Sequence, residues 1–269
     1  MSNSVIGSST TVGELEVRVL PDRDTMGRVA ADDAAAALRE LLARQDRVRM
    51  VFAAAPSQTE FLAHLAAADG IDWSRVIAFH MDEYVGLPEG AAERFGQWLR
   101  RHVFDRVPFG EVHLLAEGVV DASAADRVAA DYAEQLAAAP IDIVAMGIGV
   151  NGHIAFNDPP VADFADPLAV KVVELDDVCR QQQVDDECFP NFDAVPTHAF
   201  TLTVPRLLDA GQHFCIVPGS AKAEAVARTL AGPIDERVPA SVLRRTPGVV
   251  LYLDPDSAAI AVQEGSLPA

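Results

Sequence analysis

The sequence predicts a doubly wound α/β fold with a mostly parallel, Rossmann-like sheet, formed by a single domain over residues 1–269. Short apolar runs typical of buried strands alternate with helical patterns, which implies right-handed parallel crossovers. The clearest run, at 141–145, leads into a glycine-rich loop, and open α/β sheets bind ligands outside such strand ends. With 269 residues and 50% hydrophobic content, the chain can form one large core.

The amino-terminal segment supplies one predicted strand and one long helix. Residues up to about 11 are polar and rich in serine, so we expect them to be loose. Residues 14–19 alternate polar and apolar side chains, which favours a strand with one solvated face. Asp22 or Asp24 can cap the helix that follows and runs to about residue 43, because apolar positions recur there at helical spacing.

A turn of small residues separates the next predicted strand, 48–53, from an amphipathic helix. This turn, 54–59, reads AAPSQT. Free N–H groups at a helix start, together with the Ser57 hydroxyl, can bind an anion. Ser57 can also act simply as the helix cap, and the two readings are compatible.

Two acidic residues follow the predicted strand at 76–79. Asp82 and Glu83 come where this strand should end, so they can bring a proton-transferring group to the ligand-binding edge of the sheet. A pair of solvated carboxylates in a loop is the simpler reading. The next predicted elements are a helix at 95–103, a strand at 112–115 and a helix at 122–138.

The loop after the central strand combines flexible backbone with proton-transferring side chains. Residues 146–160 read MGIGVNGHIAFNDPP. The glycines are Gly147, Gly149 and Gly152. They can adopt conformations closed to other residues and allow a ligand close to the main chain. His153 can exchange a proton near neutral pH, and Asp158 is near enough in sequence to orient it. A plain tight connection has the same glycine pattern; the second motif at Asp82 favours an active site.

Beyond residue 160 the pattern changes to a smaller excursion. Segments 170–175 and 199–204 read as strands, and the polar segment 176–193 between them as a loop or short helix. We predict that this excursion covers the site, although a surface hairpin without a catalytic part has the same pattern. The sheet then resumes at 213–217 and is completed by a strand at 249–254.

Lys222 is a candidate phosphate ligand. It lies near the start of a predicted helix, directly behind Gly219 and Ser220. A lysine at such a turn can reach an anion bound by backbone N–H groups. The alternative is an ordinary solvated lysine, since this side chain is rarely buried.

The composition narrows the class of ligand. A formal net charge of −19 and a pI near 4.6 argue against nucleic acid or an anionic membrane as partner. A phosphorylated small molecule remains compatible, because backbone amides and one or two cations form a local anion site. The three cysteines lack metal-type spacing, and no leader or membrane-length apolar run is evident, so we expect a soluble cytoplasmic protein.

Two long motifs carry a resemblance to a known family. Segments 79–87 (FHMDEYVGL) and 147–159 (GIGVNGHIAFNDP) closely resemble the signatures of the glucosamine-6-phosphate deaminase (isomerase) family. The similarity continues through 219–223 (GSAKA) and 239–243 (PASVL), so it covers nearly the whole chain. It implies a doubly wound fold and conversion of an amino-sugar phosphate into fructose 6-phosphate and ammonia, with no cofactor and no metal.

The resemblance also implies residue roles. Asp82 aligns with the general base that moves a proton between C2 and C1, and Lys222 with a phosphate-binding lysine. His153 aligns with the histidine that assists opening of the pyranose ring, and Asp158 with the carboxylate that orients it. This division suits the chemistry, because proton transfer between adjacent carbons and ring opening need groups at different positions on the sugar.

The chain departs from the family pattern at three places. Asn151 stands where aspartate is usual; an amide can hold the histidine ring by a hydrogen bond but cannot favour the imidazolium as a carboxylate would. The first phosphate loop, usually rich in glycine, contains Ser57 among alanines and a proline. The family's phosphate-binding arginine has no secure counterpart, and Arg180 is the nearest candidate.

Two further functions are alternatives. A 6-phosphogluconolactonase-like hydrolase shares the fold and a Gly-His loop, but lactone hydrolysis gives no need for a proton shuttle at Asp82. A sugar-phosphate sensor would keep the pocket without turnover. The epimer of the amino sugar and any effector are left open, and a homo-oligomer is among the assemblies that the resemblance allows.

Overall fold

The computed structural model describes residues 7–118 and 123–268. Its strands are β1 (Ser8–Val12), β2 (Leu15–Val19), β3 (Val48–Phe52), β4 (Val76–His80), β5 (Asp82–Tyr84), β6 (Glu111–Val112), β7 (Ile141–Met146), β8 (Val170–Glu174), β9 (His198–Leu202), β10 (Ala210–Val217) and β11 (Val249–Leu253). Its helices are α1 (Arg23–Arg44), α2 (Thr59–Ala66), α3 (Phe95–Leu99), α4 (Ala125–Ala137), α5 (Asp177–Asp185), α6 (Val204–Leu208), α7 (Ala223–Ala231) and α8 (Pro255–Gln263).

The strands form one large and one small sheet. The large sheet has eight strands in the order β1-β2-β11-β10-β7-β3-β4-β6, and all pairs except β1 with β2 are parallel. The predicted doubly wound, mostly parallel fold is thereby confirmed. Strand β7 lies between β10 and β3, so the loops that follow these three strands meet at one edge of the sheet.

Helices cover both faces of the large sheet. On one face, Met26 and Leu38 of α1 and Phe61 of α2 pack in a buried cluster with Phe52 of β3. On the other face, the buried residues of α4, α7 and α8 join a second cluster with the opposite side chains of the same strands. Because alternate side chains of a strand point to opposite faces, strands covered on both sides are apolar throughout.

The small antiparallel sheet, in the order β5-β9-β8, forms the excursion predicted beyond residue 160. Its third strand, β5, comes from the Asp82 motif, for which the sequence predicts a strand end or a loop. Helix α5 lies between β8 and β9 in the chain and lines the central cavity through Gln182, Gln183 and Asp186 just after it. The excursion therefore covers the site, as predicted.

Several predicted boundaries need correction. The segment expected to be loose contains β1, whose serines and threonines pair with β2 in an antiparallel hairpin. The strand predicted at 112–115 is only Glu111–Val112, and the helix predicted at 95–103 changes after α3 into a π-helical turn, Arg100–Phe104. Asp22, rather than Asp24, caps α1 by accepting a hydrogen bond from the Thr25 N–H at 2.7 Å.

The predicted start of the helix at Ala122 lies outside the described residues. Among the described residues, no helix is both long and apolar enough to cross a membrane.

Candidate active site

A cavity of about 310 Å³ lies at the carboxyl ends of β3, β4, β7 and β10. Five of the predicted site residues line it: Ser57, Asp82, Gly149, His153 and Lys222. Because these residues come from four separate loops, their convergence is a result of the parallel strand order. The sequence prediction that the Asp82 and His153 motifs share one site is consistent with this geometry.

Asp82 is a buried carboxylate held in the cavity wall. It is only 7% exposed, and its Oδ1 has no hydrogen-bond partner among the described residues. Burial, reinforced by the nearby charge of Glu83, raises the pKa of Asp82 well above its usual value. A carboxylate of this kind can take up a proton more readily than an ordinary solvated aspartate.

His80 fixes the backbone at Asp82 and was not identified from the sequence as a site residue. Its Nε2 accepts a hydrogen bond from the Leu115 N–H at 2.8 Å, so Nδ1 carries the proton and donates to the Asp82 carbonyl at 2.9 Å. Complete burial lowers the pKa of His80 to about 3, and the ring is therefore neutral near pH 7. His80 is a positioning residue.

Glu83 faces away from the cavity because successive side chains of a strand point to opposite sides. Its carboxylate accepts hydrogen bonds from the N–H groups of Tyr84 (2.9 Å), Phe95 (3.1 Å) and Gly96 (3.0 Å). The buried guanidinium of Arg94 lies 3.7 Å away. Burial raises the pKa of Glu83, although these hydrogen bonds and Arg94 oppose the shift. The two adjacent acids thus have different roles, and that of Glu83 is structural.

His153 and Asp158 form a buried pair. The distance between His153 Nδ1 and Asp158 Oδ1 is 2.9 Å, and Asp158 is only 1% exposed. Burial would raise the pKa of Asp158, but the neighbouring His153 and hydrogen bonds, including that from Asn151, outweigh it and lower the pKa. An ionised Asp158 can therefore hold the imidazole ring in place.

Asn151 acts on the carboxylate and on the backbone, whereas the sequence analysis expected its amide to hold the ring. Its Nδ2 donates to Asp158 Oδ1 at 2.8 Å, and its Oδ1 accepts from the His153 N–H at 3.0 Å. The amide therefore satisfies an oxygen of Asp158 that an aspartate at this position would repel. Asn151 therefore helps to hold the His153–Asp158 pair, but it does not supply the negative charge that an aspartate at this position would have.

Gly149 makes room for the histidine ring. A Cβ placed on this residue would overlap the ring atoms of His153. The backbone of Gly149 is outside the left-handed region, so the close approach of the ring, and not the backbone angle, is what excludes a side chain.

We expect Gly149→Ala to displace the His153 ring and to lower kcat/KM about 100-fold, the usual consequence of a misplacement near 1 Å. Steady-state kinetics with an amino-sugar phosphate would measure the effect. Gly96→Ala is the matched control, because this buried glycine does not line the cavity and its Cβ would meet nothing closer than 3.4 Å. Equal losses in both variants would contradict the assignment.

Gly152 shapes the loop from outside the cavity lining. Its φ of +90° lies in the left-handed region, and a Cβ would approach Val238 Cγ1 to 2.8 Å. Its carbonyl accepts from the Ala240 N–H at 2.8 Å, which links the loop to the PASVL segment. Gly152 is not among the residues that line the cavity, and these contacts indicate a role in loop geometry; the predicted substrate contact stays a prediction.

Ser57 and Lys222 lie on the two loops that flank β7. Ser57 is not the capping residue of α2; its Oγ accepts from Gln58 Nε2 at 3.2 Å, and the same nitrogen donates to the Ile216 carbonyl at 3.1 Å. Gln58 therefore ties the loop after β3 to the end of β10. Lys222 is only 7% exposed, and burial lowers its pKa. A buried lysine facing a cavity is suited to an anionic ligand.

Arg180 is not brought to the cavity, so the expectation of a phosphate contact needs correction. Its guanidinium donates to the carbonyls of Phe192 and Val195, both at 3.0 Å, and stacks over the Phe192 ring. These contacts fix the segment after α5. An arginine that does line the cavity is Arg23 at the start of α1, which sequence reasoning missed.

His153 and two side chains next to it, Asp158 and Cys179, have atoms that could bind a metal ion. One atom each of His153, Asp158 and Cys179 lies within 4.8 Å of the others. Two of them are already paired with each other, and burial together with Asp158 raises the pKa of the Cys179 thiol. A protonated thiol is a poor metal ligand. This arrangement fits a hydrogen-bonded support for Asp158 better than a metal centre.

The fold and the cavity define a doubly wound α/β protein with a carboxylate and a histidine at the ligand edge of its sheet. The sequence profile described as glucosamine-6-phosphate isomerases/6-phosphogluconolactonase matches residues 21–252. The chain belongs to this family.

Curated relatives agree with this membership. Glucosamine-6-phosphate deaminases of Bacillus cereus (strain B4264) and Bacillus thuringiensis (strain Al Hakam) are each 36% identical over 187 residues, which is 70% of this chain and 68% of theirs. Among solved structures, a monomeric glucosamine-6-phosphate deaminase superimposes with a TM-score of 0.81 at 23% identity, covering 91% of this chain and 99% of that one. A 6-phosphogluconolactonase from Trypanosoma brucei has a TM-score of 0.72 at 18% identity, covering 94% and 99%. At these identities the solved structures support the shared fold.

Proposed function

We propose that this protein converts an amino-sugar phosphate, with glucosamine 6-phosphate as the first candidate, into fructose 6-phosphate and ammonia. The observation that carries the proposal is that Asp82 and His153, which Asp158 holds at 2.9 Å, line the same cavity as Lys222. The curated relatives named glucosamine-6-phosphate deaminase support this choice of reaction.

The reaction divides among these groups. His153, held by Asp158, assists proton transfer between the anomeric hydroxyl and the ring oxygen, which opens the pyranose to the aldehyde. Asp82 takes the proton from C2 and returns it to C1, while O1 gains a proton and the amino nitrogen loses one, so that the amino aldose becomes an imine of the ketose. Water adds to that imine at C2 and ammonia leaves, which gives fructose 6-phosphate. No electrons are gained or lost overall, because the oxidation of C2 balances the reduction of C1.

Ammonia release tests the proposal directly. Purified protein should release ammonia and a ketose phosphate in equal amounts from glucosamine 6-phosphate or from galactosamine 6-phosphate. Absence of ammonia with both sugars would overturn the assignment. Hydrolysis of 6-phosphogluconolactone, measured in parallel, tests the lactonase alternative. Solved 6-phosphogluconolactonases have a similar fold, so this activity needs its own measurement.

The raised pKa of Asp82 predicts an acid limb in the pH profile. Only the ionised carboxylate can accept the C2 proton, so kcat/KM should fall as the pH drops through the pKa of Asp82. Since that pKa is raised, the limb should lie well above the value of about 3.9 expected for a solvated aspartate.

This limb can be assigned with two variants. It should move in Asp82→Glu, whose carboxyl group occupies a different environment, and stay in place in Ser57→Ala. Because the substrate phosphate also titrates, a limb that is identical in Asp82→Glu and the wild type would belong to another group and would contradict the prediction. Circular dichroism at each pH confirms that the protein stays folded.

We propose further that the protein works in the cytoplasm and has no nucleic-acid partner. The free cysteines Cys179, Cys188 and Cys215 suit a reducing cytoplasm, and a net charge of −19 disfavours nucleic acid as a partner. Light scattering of the purified chain would decide between a monomer and a homo-oligomer.

A further inference from the structure

We propose that Arg23 is a substrate-binding residue that holds the phosphate group together with Lys222. The inference rests on the proposed function and adds a residue that neither the motifs nor the family resemblance indicates. Arg23 lies at the first position of α1, more than thirty residues before the first phosphate loop, yet it lines the central cavity.

Two contacts hold the arginine against that loop. Its Nη2 donates to the Pro56 carbonyl at 2.6 Å, and its Nε lies 2.9 Å from Glu60 Oε1. Within the described residues, Nη1 makes no hydrogen bond. The side chain is thus oriented next to the loop that carries Ser57, while Nη1 stays available to donate a hydrogen bond to a ligand.

Lys222 lines the same cavity as Arg23 and Ser57. The Gln58 amide joins Ser57 Oγ to the Ile216 carbonyl, only a few residues before the loop that carries Lys222. Arg23, Ser57 and Lys222 thus line one cavity, on segments two of which the Gln58 amide connects. A phosphate seated there would meet a planar guanidinium on one side and a point charge on the other.

The charge balance of the cavity calls for the second cation. Asp186 also lines the cavity, and its charge acts on Lys222 and opposes the lowering of the lysine pKa. One lysine next to one carboxylate gives little net attraction for a phosphate dianion. Arg23 supplies a second cation at this end; it shares its charge with Glu60, 2.9 Å from Nε, but within the described residues its Nη1 makes no hydrogen bond and can donate to a phosphate oxygen.

The test compares Arg23→Gln with Arg28→Gln. Arg28 is on the same helix, pairs with Asp32 at 3.5 Å and does not line the cavity, so it is a matched control. Loss of a charge-assisted hydrogen bond should raise KM for the sugar phosphate about 10- to 100-fold in Arg23→Gln, with kcat within about threefold. The inhibition constant of inorganic phosphate should rise in parallel, and Arg28→Gln should match the wild type.

Other results would overturn the inference. An unchanged KM in Arg23→Gln would refute it, as would a fall in kcat alone or an equal rise in KM for the unphosphorylated amino sugar. If the wild type turned over no amino-sugar phosphate, the proposed function would fail separately. Binding of inorganic phosphate to the wild type and both variants, followed by calorimetry, would then still test Arg23. Melting temperatures should agree among all three proteins, because the Arg23 side chain is 43% exposed.

Discussion

Asp82→Asn should lower kcat/KM by about 10²- to 10⁴-fold, the range expected when a general base is removed. The variant retains the size and buried position of the side chain but cannot accept the C2 proton. Exchange of the C2 hydrogen with deuterated solvent should be lost together with ammonia release, and both are measurable by proton NMR.

The same variant should not lose stability. A carboxyl group whose pKa is raised in the folded state stabilises the fold below its unfolded pKa, and that stability is lost as the pH rises through the folded pKa. Above that pKa the ionised, buried Asp82 therefore costs stability, and a neutral amide removes that cost. A melting temperature equal to or above that of the wild type is expected. Retained turnover, or a sugar-phosphate sensor without turnover before and after the change, would contradict the proposed mechanism.

Glu83→Ala should instead lower the free energy of unfolding by about 3–5 kcal/mol, because breaking a buried pair leaves its partner uncompensated. The substitution removes the acceptor for three backbone N–H groups and the carboxylate near Arg94. Urea unfolding followed by circular dichroism would measure the loss.

The neighbouring acid provides the control for this prediction. Asp82→Asn, one residue away on β5, should impair turnover and leave the urea midpoint unchanged or higher. If Glu83→Ala unfolded at the same urea concentration as the wild type, the buried network around Arg94 would not have the structural role assigned here.

Much of the site could be predicted because its residues follow strand ends. The apolar run at 141–145 and the strand at 76–79 fixed where the chain turns, and parallel strands bring such turns to one edge. Asp82, His153 and Lys222 could therefore be expected together before any coordinates. Spacing placed these residues at strand ends, whereas the roles of Asp82, His153 and Lys222 came from the family resemblance.

The remaining features depend on contacts between distant segments. Arg23 reaches the cavity only because α1 packs beside α2, and nothing in its sequence surroundings indicates that position. The opposite orientations of Asp82 and Glu83 follow from β5 pairing with β9, more than one hundred residues later. The requirement for glycine at 149 comes from the ring of His153, and a local glycine pattern cannot show it.

The side chain of Gln58 has a consequence for inhibitor affinity. One amide bridges the loop after β3 and the end of β10, so the protein's own contacts hold the backbone at the anion-binding end. The conformational entropy of these loops is lost during folding and not during association, so the site is preorganised. A phosphate mimic should consequently gain little from added flexibility, and rigid tetrahedral oxyanions are the better starting point for ligand design.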